Sequence, residues 1–166
     1  MLVHKPTAVP ADKPIKCSAG ISLLEVMLSL SIIAAVLMMA TRYYQVTQFS
    51  ESVNEATNLV NQVNAAAGRY QSIAGSYVNM DFTTDLVGRG YIPCQGTPCV
   101  VTNPWGGTVT TGVLNNGQNF SVTLTDVPQK ACNNLAGKFP LPTALANPPT
   151  QCTAASSGTY TFETVF

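Results

Sequence analysis

The feature that most constrains this chain is a run of twenty residues, 21–40, in which only Ser22, Glu25, Ser29 and Ser31 are polar. At a rise of about 1.5 Å per residue, a helix of that length spans roughly 30 Å, the thickness of a bilayer core. The run therefore predicts a membrane-spanning helix. An acid inside a membrane costs on the order of 3 kcal/mol, so the carboxylate of Glu25 needs a compensating partner.

The residues before this run are basic and contain several prolines. Lys5, Lys13 and Lys16 are opposed by a single acid, Asp12, which predicts that the N-terminal side stays in the cytoplasm. The sequence after the span is then expected in an oxidising compartment outside the cytoplasm. Residues 1–20 have no apolar periodicity, and we interpret them as a leader without regular structure.

The composition argues against catalysis and against direct nucleic-acid binding. The only histidine is His4, in the leader, so the rest of the chain has no histidine for a catalytic pair or a metal site. Charged residues make up 10% of the chain and the formal net charge is zero, so no basic face for nucleic acid is expected. We therefore expect a protein that is not an enzyme and that uses no cofactor and no metal.

A second helical pattern continues from the span without a break. No proline occurs between residues 21 and 73, which predicts one helix over about that range. Beyond the span, apolar and small residues alternate at spacings of three and four, and we favour packing of this stripe on the chain's own domain over a two-chain coiled coil. The stripe consists of Val46, Phe49, Val53, Ala56, Val60, Val63, Ala67 and Tyr70.

The chain after Gly75 changes to glycine, proline, threonine and β-branched residues, which are typical of strands and turns. A hairpin turn is expected at 114–117, where Asn-Gly tolerates positive φ. One short helix is expected from Asp85 to Gly88, capped by Thr84. The candidate strands are 98–102, 108–113, 119–125 and 159–166.

Another short helix is expected after Asp126, with Pro128 in its first turn and Gly137 at its end. Together these elements predict an α+β fold, in which a long N-terminal helix packs on an antiparallel sheet.

Four cysteines follow the span, and an even number in an oxidising compartment favours two disulfides. Their spacing does not fit a zinc ribbon. Pairing Cys94 with Cys99 and Cys132 with Cys152 is one of three possibilities and is favoured by proximity in sequence. The second pair would enclose the loop 133–151 and would stabilise the fold by about 3 kcal/mol.

The junction between leader and span resembles the class III signal of type IV pilins. Residues 16–20 read KCSAG and residues 21–25 read ISLLE, so a glycine is followed by an apolar residue and then by a glutamate at the fifth place. The resemblance implies that a prepilin peptidase cuts after Gly20 and methylates the new N-terminal residue, Ile21. It also implies an assembly role for Glu25, because the cationic amine of an incoming subunit would pair with this carboxylate on a neighbour.

The same resemblance implies a domain organisation and a set of partners. A leader over 1–20 would be removed, a transmembrane and filament-core helix would cover 21–45, and a globular pilin domain would cover 46–166. The partners would be further copies of the chain, the prepilin peptidase, the inner-membrane pilus assembly machinery and, before assembly, the membrane itself.

The subgroup is suggested by two further features. A twenty-residue leader followed by a residue other than phenylalanine resembles the type IVb pilins. The segment N-P-W-G-G at 103–107 resembles a motif of conjugative thin-pilus pilins. In that motif, Trp105 would anchor the sheet, and Gly106 and Gly107 would form the turn after Pro104. The plainer alternative is a tight turn beside a core tryptophan.

The resulting hypothesis is the structural subunit of a type IV pilus that supports adhesion, DNA transfer or motility. The precursor would lie in the inner membrane and the mature chain in an extracellular pilus at the bacterial surface. Two alternatives stay open: a pseudopilin of a type II secretion system, or a minor pilin or adhesin that binds a receptor through the loop 133–151.

Overall fold

The computed structural model of the chain describes residues 22–94, 96, 99–142, 149–155 and 158–166. The chain divides into two compact units, with the boundary after Arg42. Helix α1 (Leu23–Ala74) has residues in both units, which confirms the prediction of one unbroken helix. It ends before Gly75, whose φ of 79° is typical of a residue just past a helix C-terminus.

In the first unit, the apolar side chains of α1 are exposed. Leu24, Leu30 and Met39 keep 73%, 59% and 74% of their surface accessible. Within the described residues, α1 is the one helix whose length and composition would allow it to cross a membrane, and its most apolar window is not buried at all. The described part of the first unit therefore supplies no cover for these side chains.

In the second unit, α1 buries one stripe of small and β-branched side chains in the domain core. Ala56, Val60 and Val63 are fully buried, whereas Val46 is 68% exposed. Complete burial of a valine stabilises a fold by roughly 1.5–3 kcal/mol. The prediction that this stripe packs on its own domain is therefore confirmed from Phe49 to Tyr70 and is wrong for Val46.

The second unit also contains a four-stranded antiparallel sheet with the order β1-β2-β4-β3. Its central strands, β2 and β4, contribute the fully buried side chains of Phe120, Val122, Leu124 and Phe162. Together with the helix, the sheet confirms the α+β fold class. The strands are β1 (Val109–Leu114), β2 (Asn119–Val127), β3 (Cys152–Ala154) and β4 (Tyr160–Val165).

The turn between β1 and β2 lies at Asn115–Gly117, as the Asn-Asn-Gly sequence predicts. Asn115, Asn116 and Gly117 have φ values of 49°, 53° and 84°. Asparagine and glycine adopt this left-handed region at the lowest cost, so the turn fixes the register of the hairpin.

Helix α2 (Gln129–Lys138) follows β2 and buries Ala131, Cys132 and Leu135 against the core. The sequence prediction of a capping Asp126 is wrong. Asp126 has a φ of 56° at an irregularity between β2 and β4, and Pro128 precedes the first turn of the helix. The helix also continues one residue past Gly137.

Two other local predictions are wrong. The described residues 99–102 form no strand, and Thr102 makes only an isolated bridge with Thr108. The short helix is a single π-type turn, Phe82–Val87, which begins earlier than predicted. Its cap is Asp81, whose Oδ1 accepts hydrogen bonds from the backbone N–H and the hydroxyl of Thr84 at 2.8 and 3.1 Å.

Candidate functional site

The first turn of α1 holds the carboxylate that the sequence singles out. Glu25 is exposed, and its backbone N–H donates to the Ser22 carbonyl at 2.9 Å. Within the described residues its side chain has no hydrogen-bonding partner. An acid at this position lies near the positive end of the helix dipole. Gly20 and Ile21, the predicted cleavage and methylation positions, lie outside the described residues.

Two serines that follow Glu25 bond their hydroxyls within the helix. The hydroxyls of Ser29 and Ser31 donate to the carbonyls of Val26 and Leu28 at 2.9 and 2.7 Å. Hydroxyls bonded in this way are compatible with a hydrocarbon surrounding, where an unsatisfied polar group costs several kcal/mol. Glu25 is the one ionisable residue in 22–40, so burial of its carboxylate would require a compensating partner.

A tight turn at 103–107 forms the second feature that the sequence predicted. The backbone N–H of Asn103 donates to the Gly107 carbonyl at 2.9 Å, and the N–H of Gly106 donates to the Asn103 carbonyl at 3.0 Å. This pattern is that of a type I turn followed by a left-handed residue, and Gly106 has a φ of 86°. Pro104 takes the second turn position, where its fixed φ is favourable.

The side chain of Asn103 holds this turn against the sheet. It is 4% exposed, and its Oδ1 accepts from the backbone N–H groups of Trp105 and Gly107 at 2.9 and 3.0 Å. Its Nδ2 donates to the Thr125 carbonyl in β2 at 2.6 Å. This role of Asn103 was not predicted. An asparagine directly before a proline turn is a recognisable signal for the bonds within the turn, whereas the bond to Thr125 has no local signal.

Glycine is required at the close of the turn because the backbone of β2 approaches there. A Cβ at Gly107 would clash with the Thr125 carbonyl group and with Nδ2 of Asn103. Trp105 is half-buried and packs against the edge of the hydrophobic core. Gly106 and Gly107 therefore lie in the turn, and the anchoring of the sheet by Trp105 stays a prediction.

The structure pairs Cys94 with Cys99 and Cys132 with Cys152, with Cα–Cα distances of 5.5 and 6.0 Å. The second disulfide joins α2 to β3, the edge strand next to β4. Residues 143–148 of the enclosed loop lie outside the described part, so the receptor-binding alternative for 133–151 is not tested there.

Lys138, the last residue of α2, bonds back to α1. Its Nζ donates to Asn54 Oδ1 at 3.0 Å and to Thr57 Oγ1 at 3.3 Å. The one lysine of the predicted loop therefore joins two helices of the second unit, and its ammonium group donates two hydrogen bonds within the fold.

Two titratable side chains in the described residues have shifted pKa values, and both have structural roles. No group of three or more potential metal ligands occurs among them. Hydrogen bonds from Thr84 lower the pKa of Asp81, and burial raises the pKa of Tyr77. Asp81 caps a helical turn and Tyr77 packs on Phe120 at a ring distance of 4.8 Å, so both have structural roles.

The comparisons with known proteins give one match. A family model described as PilS N terminal matches residues 49–146, which is more than half of the chain. The chain belongs to the PilS N-terminal family. This family is related to the pilins of the type IV pilus. No curated protein and no solved structure matches the chain significantly.

The family match covers the part of α1 that enters the core, the Asn103 turn, β1, β2 and α2. Membership in the PilS N-terminal family indicates a structural protein of the pilin type rather than an enzyme. Glu25 lies before the matched residues, so its role depends on the sequence signal and on the exposed apolar helix around it.

Proposed function

We propose that the chain is the structural subunit of a type IV pilus, made as a precursor with a class III signal. In this proposal, a prepilin peptidase cuts after Gly20 and methylates Ile21, and the mature chain polymerises through residues 21–45. The observation that carries the proposal is the contrast along α1: its apolar residues are exposed in the first unit, and its apolar stripe is buried in the second.

An exposed apolar helix of this length needs a surrounding that excludes water. We propose that the inner membrane covers it before assembly and that the helices of neighbouring copies cover it in the extracellular pilus. Lipid tails are as apolar as leucine side chains, so transfer between the two gains little hydrophobic free energy. Helix packing and the pairing of Glu25 would then supply the net stabilisation of the filament.

The role of Glu25 follows from its exposure and from its lack of a partner in the described residues. Cleavage after Gly20 would create an α-amine with a pKa near 8, which is largely cationic at neutral pH. Pairing of this amine with Glu25 of a neighbour would neutralise both charges. Because the two groups would belong to different copies, the pair would also set the axial register between adjacent helices.

The leader length and the N-P-W-G-G segment support assignment to the type IVb group, in the branch with conjugative thin-pilus pilins. The tight turn at 103–107 and its bonds to β2 are compatible with the structural role that this resemblance implies for Trp105. Adhesion, DNA transfer and motility are the activities that such a filament would support.

The decisive experiment is the mass of the N-terminal peptide of the mature protein. It should begin at Ile21 and carry one additional methyl group. Gly20→Asp should leave the full-length precursor in the membrane, and efficient processing of this variant would refute the cleavage site. Assembled fibres that retain residues 1–20 would refute the proposal as a whole.

The assembly role is tested by Glu25→Ala in the full chain. We expect normal membrane insertion and cleavage but a loss of sheared filaments of at least about tenfold. The α-amine buried without its partner would destabilise the filament by several kcal/mol. Glu51→Ala, an acid on the exposed side of α1 in the second unit, is the matched control and should assemble normally. Normal-length filaments from the Glu25 variant would contradict the register argument.

A further inference from the structure

We propose that a groove beside α1 receives the guanidinium of Arg69 from a second copy of the chain, so that neighbouring globular units pair head to tail. The proposal rests on the proposed function, because it requires copies that lie side by side in a polymer. The two charges that would face each other between subunits are the carboxylate of Glu55 and the guanidinium of Arg69.

The groove lies in the second unit and has a volume of about 430 Å³. Glu55, Asn58 and Gln62 of α1 form one wall, and Pro93, Cys94 and the residues from Val100 to Pro104 contribute to the other. Glu55 is the one charged residue among those that line it, so the groove is acidic. Carboxylate and amide oxygens beside an apolar wall suit a planar guanidinium, which offers five N–H donors and a flat face.

The acid belongs to an exposed stripe that runs along α1. The spacing of its members alternates between three and four, so they lie on one side of the helix. Its N-terminal part carries Glu51 and Glu55 and its C-terminal end carries Arg69, about 21 Å farther along the axis than Glu55. The stripe consists of Glu51, Glu55, Asn58, Gln62, Ala65 and Arg69, and all six are exposed.

Neither end of the stripe has an opposite charge within the described residues. The one ion pair there joins Arg89 to Asp85 at 3.2 Å. Arg69 instead lies 6.0 Å from the ring centre of Tyr91, a cation–π contact that holds the guanidinium on the domain surface. Because Glu55 and Arg69 of one copy are too far apart to touch, their charges can be paired with each other only between copies.

Pairing of one end of a surface with the other end of a neighbour is a heterologous contact. Such contacts do not close on themselves when the rotation does not close a ring, and they then generate open helical filaments. The stripe therefore adds a contact between globular units that has the same polarity as a growing filament.

The other exposed cations of the described chain fit this role less well. Arg89 is already paired with Asp85, and Lys138 is bonded to Asn54 and Thr57. Arg42 and Lys130 lie outside the stripe that carries Glu55. These two residues enter the experiment below as competitors of Arg69.

The test is charge reversal in the full chain, expressed in the cell that assembles it. Glu55→Arg and Arg69→Glu should each lower the yield of sheared filaments by about tenfold, because each reversal places like charges opposite one another. The double variant restores opposite charges at every interface, so its yield should return to within about twofold of the wild type. Asn61→Arg is the control: it adds a positive charge at an exposed position of the same helix that is neither in the groove nor on the stripe, and it should have no effect.

Single reversals without effect, or a double variant no better than the single ones, would overturn the proposal. Rescue of Glu55→Arg by Arg42→Glu or Lys130→Glu in place of Arg69→Glu would overturn it as well. Membrane abundance of each variant, measured by immunoblot, identifies a chain that has failed to fold.

A second measurement separates this proposal from the proposed function. Two differently tagged chains, one with Glu55→Cys and one with Arg69→Cys, are co-expressed and treated with a short bifunctional thiol reagent. A mixed cross-link without any filament would support the groove contact and refute the pilus. Filaments without the cross-link would refute the groove contact alone, and the absence of both would refute both proposals.

Discussion

Replacement of Asn103 by alanine tests how strongly one side chain ties the turn at 103–107 to the sheet. The variant removes an acceptor for the N–H groups of Trp105 and Gly107 and a donor to the Thr125 carbonyl. The bond to the Gly107 N–H is buried and the other two bonds are partly buried, so water replaces the lost bonds poorly. A buried polar group left without a partner costs about 1–3 kcal/mol.

The expected destabilisation is the sum for these groups, reduced because Trp105 is only half-buried. We expect a loss of about 3–5 kcal/mol in the free energy of unfolding. With a urea dependence of about 2 kcal/mol per molar, the unfolding midpoint should fall by about 1.5–2.5 M. Asn103→Asp keeps the acceptor but places a carboxylate oxygen against the Thr125 carbonyl in a buried site, so its loss should be at least as large.

The assay is urea unfolding of the detergent-solubilised full chain, followed by tryptophan fluorescence. Trp105 is the only tryptophan, so the signal reports on the turn itself. Circular dichroism at the helix band shows whether the rest of the fold unfolds with it. Asn134→Ala, which removes one exposed bond to the Lys130 carbonyl at 2.8 Å, is the control and should change stability by less than about 0.5 kcal/mol. An Asn103→Ala midpoint equal to that of the control would refute the reasoning.

Two further predictions concern the cap and the disulfides. The Thr84 bonds lower the pKa of Asp81 below its ordinary value of 3.8, so the contribution of its carboxylate to folding stability is present above that pH and is lost as the pH falls through the folded pKa. The difference in melting temperature between the wild type and Asp81→Asn should therefore shrink on acidification. A constant difference would contradict this. Loss of the Cys132–Cys152 disulfide, with a separation of 20 residues, should lower the free energy of unfolding in urea by about 3 kcal/mol. Loss of the Cys94–Cys99 disulfide, with a separation of 5, should lower it by about 2 kcal/mol. The reverse order would contradict the chain-entropy account.

The long helix and the hairpin could be predicted from sequence because their causes are local. An apolar stripe without proline determines where α1 lies and which face it buries. The Asn-Asn-Gly turn adopts positive φ values that few other residues tolerate. Neither feature depends on a distant part of the chain.

The errors occur where distant residues decide the local structure. Asp126 is a good helix cap in isolation, but it takes a left-handed φ because β2 continues to pair with β4 as far as Val127 and Tyr160. β3 is only three residues long and has no apolar alternation, so pairing with β4 is what defines it. Residues 99–102 have strand-like composition, yet Thr102 meets only Thr108 across the turn.

The candidate site divides in the same way. Glu25 could be singled out because a lone carboxylate in an apolar run is visible in the sequence, and its assembly role stays a prediction. The importance of Asn103 could not, because one of its three partners is the Thr125 carbonyl, twenty-two residues away. The polar stripe on α1 has a regular spacing, but its exposure became known only from the structure.

The strand order β1-β2-β4-β3 has a consequence for export of the domain. A chain that crosses the membrane from its N-terminal side delivers β4 last, although β4 lies inside the sheet between two earlier strands. Until then, Phe120 and Leu124 of β2 lack the partner that covers them, and β3 has no neighbour at all. In the proposed export, the sheet could therefore be completed only after translocation had finished, and the interval before that would be when the chain most needs protection from proteases and from aggregation.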